Sequence, residues 1–245
     1  MIEVSNIRLS TIDEERFGVR TARVESVTRN QLPAIDEFCR SNAVKFLIAR
    51  CDAAELQTVQ AMEAQDFLLM DTLVYFVRPI ASAPIPPIAD SIIVRPVRDD
   101  EADTVGALAA KAFRGYGGHY HADSRLDRDD CDAVYQSWAY RSCVSRAVAD
   151  NVLVAEQQGR AVGFTTLRIH NPDEGEVPLY GVDPSLQGQG IGRSLIIGAL
   201  RWFEAEDVAK MLISTQVTNV ASQKVWVRLG FEPSHAYYTF HKWFD

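Results

Sequence analysis

Residues 180–195 read YGVDPSLQGQGIGRSL, and this stretch limits the fold more than any other part of the chain. It follows an apolar run and precedes an apolar-periodic helical pattern, with glycines alternating at 188, 190 and 192. Asp183-Pro184 ends the preceding strand, because a residue before proline is held extended and proline has no N–H for a ladder. Glycine admits positive φ and lets main chain approach a ligand closely, so successive N–H groups here can converge with the unpaired donors that open the next helix. Such a concave set of donors suits phosphate or pyrophosphate.

Spacing excludes two other phosphate loops. A P-loop needs Gly, four residues and then Gly-Lys-Ser/Thr, but Gln187 stands where the first glycine belongs and Arg193 where the lysine belongs. A dinucleotide fingerprint needs Gly-x-Gly-x-x-Gly and an acidic residue at a strand end about 20 residues on. The glycines here alternate evenly, and the next strand ends in STQVTN.

Composition sets further bounds. A chain of 245 residues, 47% hydrophobic, can build a sizeable core in one large domain or two modest ones. The formal charge of −8 argues against a general nucleic-acid or anionic-membrane surface, since counterion release needs clustered Lys and Arg. An anionic ligand must therefore be caught locally. The cysteines at 39, 51, 131 and 143 form no Cys-x-x-Cys pair, so they are expected to be reduced and mostly buried. Residues 1–17 hold no continuous apolar stretch of signal-peptide length, and no run approaches the ~18 residues that span a bilayer. A cytoplasmic protein with no nucleic-acid or membrane partner is expected; a homodimer is left open.

The segment PIASAPIPPIADS, residues 79–91, holds four of the ten prolines and reads as extended and semi-rigid. It suggests a first domain over residues 1–80, a linker over 81–91 and a second domain over 92–245. In the first, KFLIA reads as a strand, DAAELQTVQAMEAQ as a helix with Leu56, Val59 and Met62 on one side, and LVYFV as a strand. About 80 residues make a marginal core, so this half is expected to lean on the next.

In the second domain IIVRPV is a strand, DDEADTVGALAAKAF a helix with acids in its first turn, and RDDCDAVYQSWAYRSCVSRAV another helix. VLVAEQ and AVGFTTLRI are strands joined by a hairpin turn at Gln158-Gly159-Arg160. EVPLYGV is a strand interrupted by Pro178 and Gly181, which favour a bulge or splay. Helix 190–206, strand KMLISTQV, helix 219–229 and strand YYTFHKWF complete a mixed α/β order. Placing residue 46 on residue 210 aligns strand, helix, Phe67 with Phe231, and a strand ending at Phe76 with one ending at Phe240, without a gap. On this faint repeat the first half lacks the glycine loop and should have lost whatever that loop binds.

Gln187 to Gly192, a Gln-x-x-Gly-x-Gly pattern after a strand ending Val-x-Pro, resembles the pyrophosphate loop of the GNAT superfamily of acetyl-CoA-dependent N-acetyltransferases. Asn219, Ala221 and RLGF at 228–231 resemble that family's second signature. The likeness covers about residues 92–245. It implies a mixed central sheet of the GNAT type with a splay between two parallel strands, preceded by a smaller degenerate GNAT-like half. It also implies acetyl-CoA as cosubstrate, without a metal, held by Val182, Gln187, Gly188, Gln189, Gly190, Ile191, Gly192, Arg193, Asn219, Ser222 and Trp226. The pantetheine arm would pair with the Val182 backbone while a strand N–H polarises the thioester carbonyl, a donor of a kind worth about 10²–10³ in rate. More narrowly, EERFGV near the start, AAKAFR at 109–114 and YQSW at 135–138 resemble bacterial TDP-fucosamine acetyltransferases. Those two-domain enzymes acetylate the 4-amino group of a nucleotide-linked amino sugar.

On the helix from Asn219, positions 219, 222 and 226 share a face. In many members of the family the last is a tyrosine that protonates the departing thiolate, but this chain has Trp226. An indole N–H does not titrate usefully, whereas a phenol with pKa near ~10 does. Losing a general acid costs about 10²–10⁴ while orientation supplies roughly 7–11 kcal/mol, so activity can survive the change. Tyr238, His235 or water are candidate substitutes. Glu176, His119 and His121 are candidate bases for the attacking amine.

FRGYGGHYHAD, residues 113–123, reads as the acceptor loop, with Arg114 for a phosphate and Tyr116, His119, Tyr120 and His121 for a sugar. His119-x-His121 with Asp123 has metal-ligand donor types, yet such loops more often bind substrate, and no metal is expected. Tyr135, Trp138 and Trp202 read as core or interface aromatics. The expected function is direct acetyl transfer, in a ternary complex, from acetyl-CoA to a primary amine of a nucleotide-linked amino sugar. Other readings are an N-acetyltransferase for another small amine or a peptide N-terminus, and a catalytically silent acyl-CoA-binding sensor.

Overall fold

The computed structural model describes residues 6–244; residues 1–5, part of the stretch read above for a leader, lie outside the described residues, as does Asp245. The chain opens with β1 (Ile7–Leu9), α1 (Thr11–Phe17), β2 (Thr21–Val24), α2 (Leu32–Ser41), β3 (Phe46–Asp52), α3 (Leu56–Glu63) and β4 (Leu68–Pro79). After the proline-rich segment come β5 (Ile93–Pro96), α4 (Ala102–Ala112), the single turn α5 (His119–Ala122) and α6 (Arg128–Val144). A run of strands follows: β6 (Asn151–Gln157), β7 (Arg160–Asn171), β8 (Glu174–Val177) and β9 (Tyr180–Val182). The last elements are α7 (Ile191–Ala205), β10 (Lys210–Gln216), α8 (Val220–Arg228) and β11 (Glu232–Trp243).

Two compact units result, one from residues up to Val74, Gly117–Cys131 and the stretch from His235, the other from Tyr75–Tyr116 and Asp132–Ser234. This differs from a cut at residues 81–91. Strand pairing rather than composition decides membership: β11, last in the chain, pairs antiparallel with β3 from Tyr237↔Asp52 to Trp243↔Phe46. A proline-rich linker marks where backbone cannot join a ladder, not which distant strands meet.

In the first unit, β1 is antiparallel to β2, and β2 runs parallel to β3 from Thr21↔Phe46 to Val24↔Ala49. Helix α2 buries Leu32, Ile35 and Cys39 at i, i+3 and i+7 against Leu47, Met62, Phe67 and Phe240. Each such burial contributes roughly 1.5–3 kcal/mol for a large aliphatic side chain. Helix α3 turns Thr58 and Met62 inward, and Leu56, expected on the same side, is 60% exposed. It stands at the first helical position, where the entering chain rather than the periodicity sets the side chain's surroundings.

In the second unit the strand order is β10-β8-β7-β6-β5, with β9 on β7. The β6–β7 hairpin turns through Gln158 at φ 52° and Gly159 at φ 75°, the paired positive φ values of a type I′ turn. One face carries α7: a Cβ built on Gly175 would lie 2.8 Å from Cζ of Phe203 and closer still to two other ring carbons. The opposite face carries α4, whose Ala112 Cβ is 3.0 Å from a Cβ built on Gly181.

The internal repeat reaches the element boundaries. Placing residue 46 on residue 210 maps β3 (46–52) onto β10 (210–216) and β4 (68–79) onto β11 (232–243) end for end. It sets α3 against α8 with the same first position. Between β2 and α2 the first half has ESVTRNQ, without a glycine.

Candidate active site

The interrupted strand EVPLYGV becomes two strands with different partners. β8 pairs with β10 in parallel, from Lys210↔Glu174 to Ile213↔Val177, and is antiparallel to β7 on its other side. β9 pairs, among the described residues, with β7 alone, at Gly163↔Val182, Phe164↔Gly181 and Thr165↔Tyr180. From Arg168↔Glu176 to Thr165↔Tyr180 the register moves three residues along β7 and four along the other chain. One extra residue is therefore taken up around Pro178, a β-bulge.

The bulge reverses the alternation of side chains. Gly175 and Gly181 would share a face in an unbroken strand, yet Gly175 points at Phe203 of α7 and Gly181 at Ala112 of α4. Beyond Pro178 it is Tyr180 and Val182 that reach α7, at 3.8 Å and 3.7 Å from a Cβ built on Gly192.

Backbone direction follows from the same register. Asp183 N donates to Val162 O at 2.9 Å and Thr166 N to Leu179 O at 2.8 Å. In an antiparallel ladder exchanged pairs alternate with open ones, so Tyr180 and Val182 turn their N–H and C=O away from β7, toward the side where β10 has diverged. This is the splay, and it leaves an extended edge suited to pairing with an elongated polar arm.

The glycine turn begins where that edge ends. Asp183 accepts from Ser185 N at 3.0 Å and Ser185 Oγ at 2.7 Å, which fixes the turn and holds its carboxyl below the usual range. Gln187, Gly188, Gln189 and Gly190 are exposed, with Gly188 at φ 81° and Gly190 at φ 82°. Gly190 caps α7 in the left-handed region without a side-chain cap, so the first amides of the helix have no capping oxygen from it and face an anion-compatible end. Ile191 is buried beneath the turn, and Arg193 is exposed with Nη1 3.4 Å from Pro87 O.

Helix α8 supplies the other wall. Asn219 caps it, accepting from Ser222 N at 3.3 Å and donating to Thr215 Oγ1 at 2.9 Å. Ser222 Oγ accepts from the Tyr180 hydroxyl at 2.7 Å. Trp226 is fully buried, with its ring 6.2 Å from that of Tyr180. Burial raises the Tyr180 phenol above its ordinary pKa, with the Ser222 and Trp226 side chains pulling the other way. Tyr180 escapes a sequence reading because its direction depends on the bulge; the signal was Pro178 two residues earlier.

Glu176 is on β8, next to Gly175 and so on the face away from Phe203, and its Oε2 is 2.8 Å from His170 Nε2. Arg114 is exposed; Tyr116 hydrogen-bonds Gln216 and stacks edge-on against Phe113 and Tyr135.

The rest of the expected acceptor loop belongs to the first unit. His119, Tyr120 and His121 are in the first unit, on α5, and all are buried. Tyr120 donates to Asp13 at 2.8 Å and accepts from Arg23, while His119 Nδ1 is 2.9 Å from His241 Nε2. His241 Nδ1 in turn meets Asp123 Oδ2 at 2.7 Å, and Trp243 Nε1 donates to the same oxygen at 2.9 Å. Burial drives His119 well below its usual pKa, leaving it neutral. A glycine-rich sequence with histidines and tyrosines resembles an open loop, but paired buried charges set this one as a structural network. Tyr238 is also in the first unit, on β11 opposite Cys51, packed against the core there.

A model of the acetyltransferase (GNAT) family matches residues 109–231. Among curated proteins, a mycothiol acetyltransferase of Acidothermus cellulolyticus is 28% identical over 197 residues, covering 72% of this chain and 56% of that protein. The spore coat polysaccharide biosynthesis protein SpsD of Bacillus subtilis is 25% identical over 148 residues, 60% of this chain and 50% of that one. The chain thus spans about half the length of these relatives. A solved tandem GNAT protein from the clavulanic acid biosynthesis pathway has the same fold at a TM-score of 0.66 and 16% identity, covering 92% of this chain and 76% of its own. Matched over half its length, and with the glycine turn, the bulged strand and the Asn-capped helix inside the matched region, the chain belongs to the acetyltransferase (GNAT) family.

Proposed function

We propose that the chain is an N-acetyltransferase that moves acetyl from acetyl-CoA to a primary amine by direct attack. The observation that carries this reading is the outward backbone edge of Tyr180 and Val182 running into a glycine turn with two positive φ values at the start of α7. The residues fit the cosubstrate: main-chain donors from 187 to 193 for the diphosphate, Val182 for the pantetheine amides, and Asn219, Ser222 and Trp226 along the opposite wall. Acetyl-CoA supplies an activated acetyl thioester. A strand N–H on the splayed edge stabilises the oxyanion that develops on the carbonyl. Glu176, oriented by His170, takes the proton that the amine gives up.

For the acceptor we propose an amino sugar, nucleotide-linked in the first instance. The short pieces at 14–19, 109–114 and 135–138 support it, as does a relative named for polysaccharide biosynthesis. Exposed Arg114 is suited to a phosphate of such an acceptor. The test is thiol release from acetyl-CoA with a panel of nucleotide-linked amino sugars, free amino sugars, amino acids and peptide N-termini. Turnover with amino sugars at the highest kcat/KM is expected. Binding of coenzyme A without turnover on any amine would identify a silent sensor, and preference for a plain amine would replace the acceptor.

A further inference from the structure

A thiolate leaving a thioester is a basic group, and its departure is eased by a proton donor on the same side of the carbonyl as the sulfur. Trp226, on the face of α8 beside the splay, has no proton that titrates in the useful range. On the strand side of the same gap stands a phenol. Tyr180 is carried to the α7 and α8 face by the one-residue bulge at Pro178, its hydroxyl 2.7 Å from Ser222 Oγ and its ring 6.2 Å from that of Trp226.

We infer, on the acetyltransferase reading above, that Tyr180 is the proton donor to the coenzyme A sulfur. The C–N bond forms as the amine attacks, the C–S bond breaks, and the sulfur leaves with its electron pair and takes the Tyr180 proton. The proton that the amine loses goes to Glu176 and then to solvent, and the phenolate regains a proton from water, so nothing is oxidised or reduced.

Three features suit Tyr180 to this role. It is half-buried rather than sealed in the core, and its hydroxyl reaches the first turn of α8 at Ser222. Its phenol carries its proton at neutral pH, as a group whose ordinary pKa is ~10 and which burial raises further does. Ser222 Oγ can turn its own hydrogen toward the phenol oxygen once the proton has left, since a hydroxyl both donates and accepts. The two proton-handling groups then stand on opposite faces of the sheet, Glu176 on the face away from α7 and Tyr180 on the face toward it. That arrangement matches entry of the amine from one side and exit of the thiolate on the other.

The test uses the full chain and Tyr180→Phe, which keeps the ring and removes only the hydroxyl. Expected is a fall in kcat of about 10²–10⁴ with KM for acetyl-CoA within about threefold. A second measurement needs no turnover: calorimetric binding of coenzyme A and of desulfo-coenzyme A. The wild type is expected to bind the thiol form several-fold more tightly than the desulfo form, by about 5- to 10-fold for one hydrogen bond to sulfur. Tyr180→Phe should erase that difference and leave the desulfo form unchanged. Equal wild-type affinity for the two forms, or a Tyr180→Phe variant with kcat within threefold of wild type, overturns the inference. A wild type that binds coenzyme A and releases no thiol with any amine overturns the acetyltransferase reading instead, so the two failures are separable.

Discussion

Gly190 and Gly192 stand two residues apart in the same turn, and substitution by alanine should move the protein in opposite directions. Gly190 has φ 82° and nothing within 4 Å of a built Cβ, so alanine there meets no neighbour and the cost is the left-handed backbone alone, about 1–2 kcal/mol. Gly192 lies within α7, and its built Cβ meets Val182 Cγ2 at 3.7 Å and Tyr180 Cε2 at 3.8 Å, ordinary contact distances. Alanine there gains roughly 0.5–1 kcal/mol of helix propensity. At about 2–4 °C per kcal/mol for a chain of this size, Gly190→Ala should lower Tm by about 2–8 °C and Gly192→Ala raise it by about 1–4 °C. If the free variant instead relaxes out of the left-handed turn that coenzyme A requires, Tm is spared and the 1–2 kcal/mol appears as an affinity loss of about 5- to 30-fold in Gly190→Ala. Gly192→Ala, whose methyl points at Val182 and Tyr180 rather than at the exposed turn, should bind within about threefold of wild type. Scanning calorimetry and titration calorimetry read both quantities. Unchanged Tm and undiminished affinity in Gly190→Ala together with a large affinity loss in Gly192→Ala would refute the reading that the left-handed backbone at Gly190 shapes the cradle.

Other outcomes follow from packing and charge. Gly175→Ala drives a methyl into the fully buried Phe203 ring; overpacking of about 1–3 kcal/mol should lower Tm by roughly 2–12 °C, and an unchanged Tm would show that the ring has room to move. Arg95 bridges Glu101 and Glu156 at 2.7 Å each, and its hydrogen bonds bring the Glu101 carboxyl down to about 2. Because the folded value lies below the unfolded one of ~4.3, this stabilisation is complete above about pH 4.5 and fades as pH falls toward 2. Glu101→Gln should therefore cost on the order of 1–3 kcal/mol at pH 7 and much less at pH 3 in urea unfolding; equal deficits at both would contradict it. His119 is buried and its folded pKa is far below the unfolded value of ~6.5. Stability is then full above pH 6.5 and declines as pH drops below it, because the unfolded chain takes up the proton first. His119→Gln should flatten the decline in urea midpoint between pH 7 and pH 5, and an unaltered slope would exclude His119 as its source.

The parts of the site governed by local rules were legible in the sequence. Gly188, Gly190 and Gly192, the Asp183-Pro184 stop and the Asn219 cap each act within a turn or two of themselves, and the structure has α7 and α8 starting where they predict. Pro178 and Gly181 signalled a break, but not the parity it imposes, since one inserted residue reverses every side chain beyond it and only pairing with β7 fixes where the insertion falls. Tyr180 was invisible for that reason. The buried surroundings of His119 and Tyr120 are not legible locally, because their partners Asp13, Arg23, Asp71 and His241 are 48 to 122 residues distant. Unit membership is hidden on the same ground, for β11 finds β3 almost 200 positions back in the chain.

The extra residue at Pro178 also bears on how this chain tolerates change. Excising that one position would spare every residue of the nucleotide cradle and of α8 and leave Tyr180 opposite Thr165, so Tyr180 and Val182 would keep their face toward α7 while the strand lost the bulge that offsets its two halves. Swapping Pro178 for another amino acid leaves that offset intact. The pairing of Tyr180 with Thr165, more than the identity of the residue at the bulge, is what a redesign of this strand must preserve.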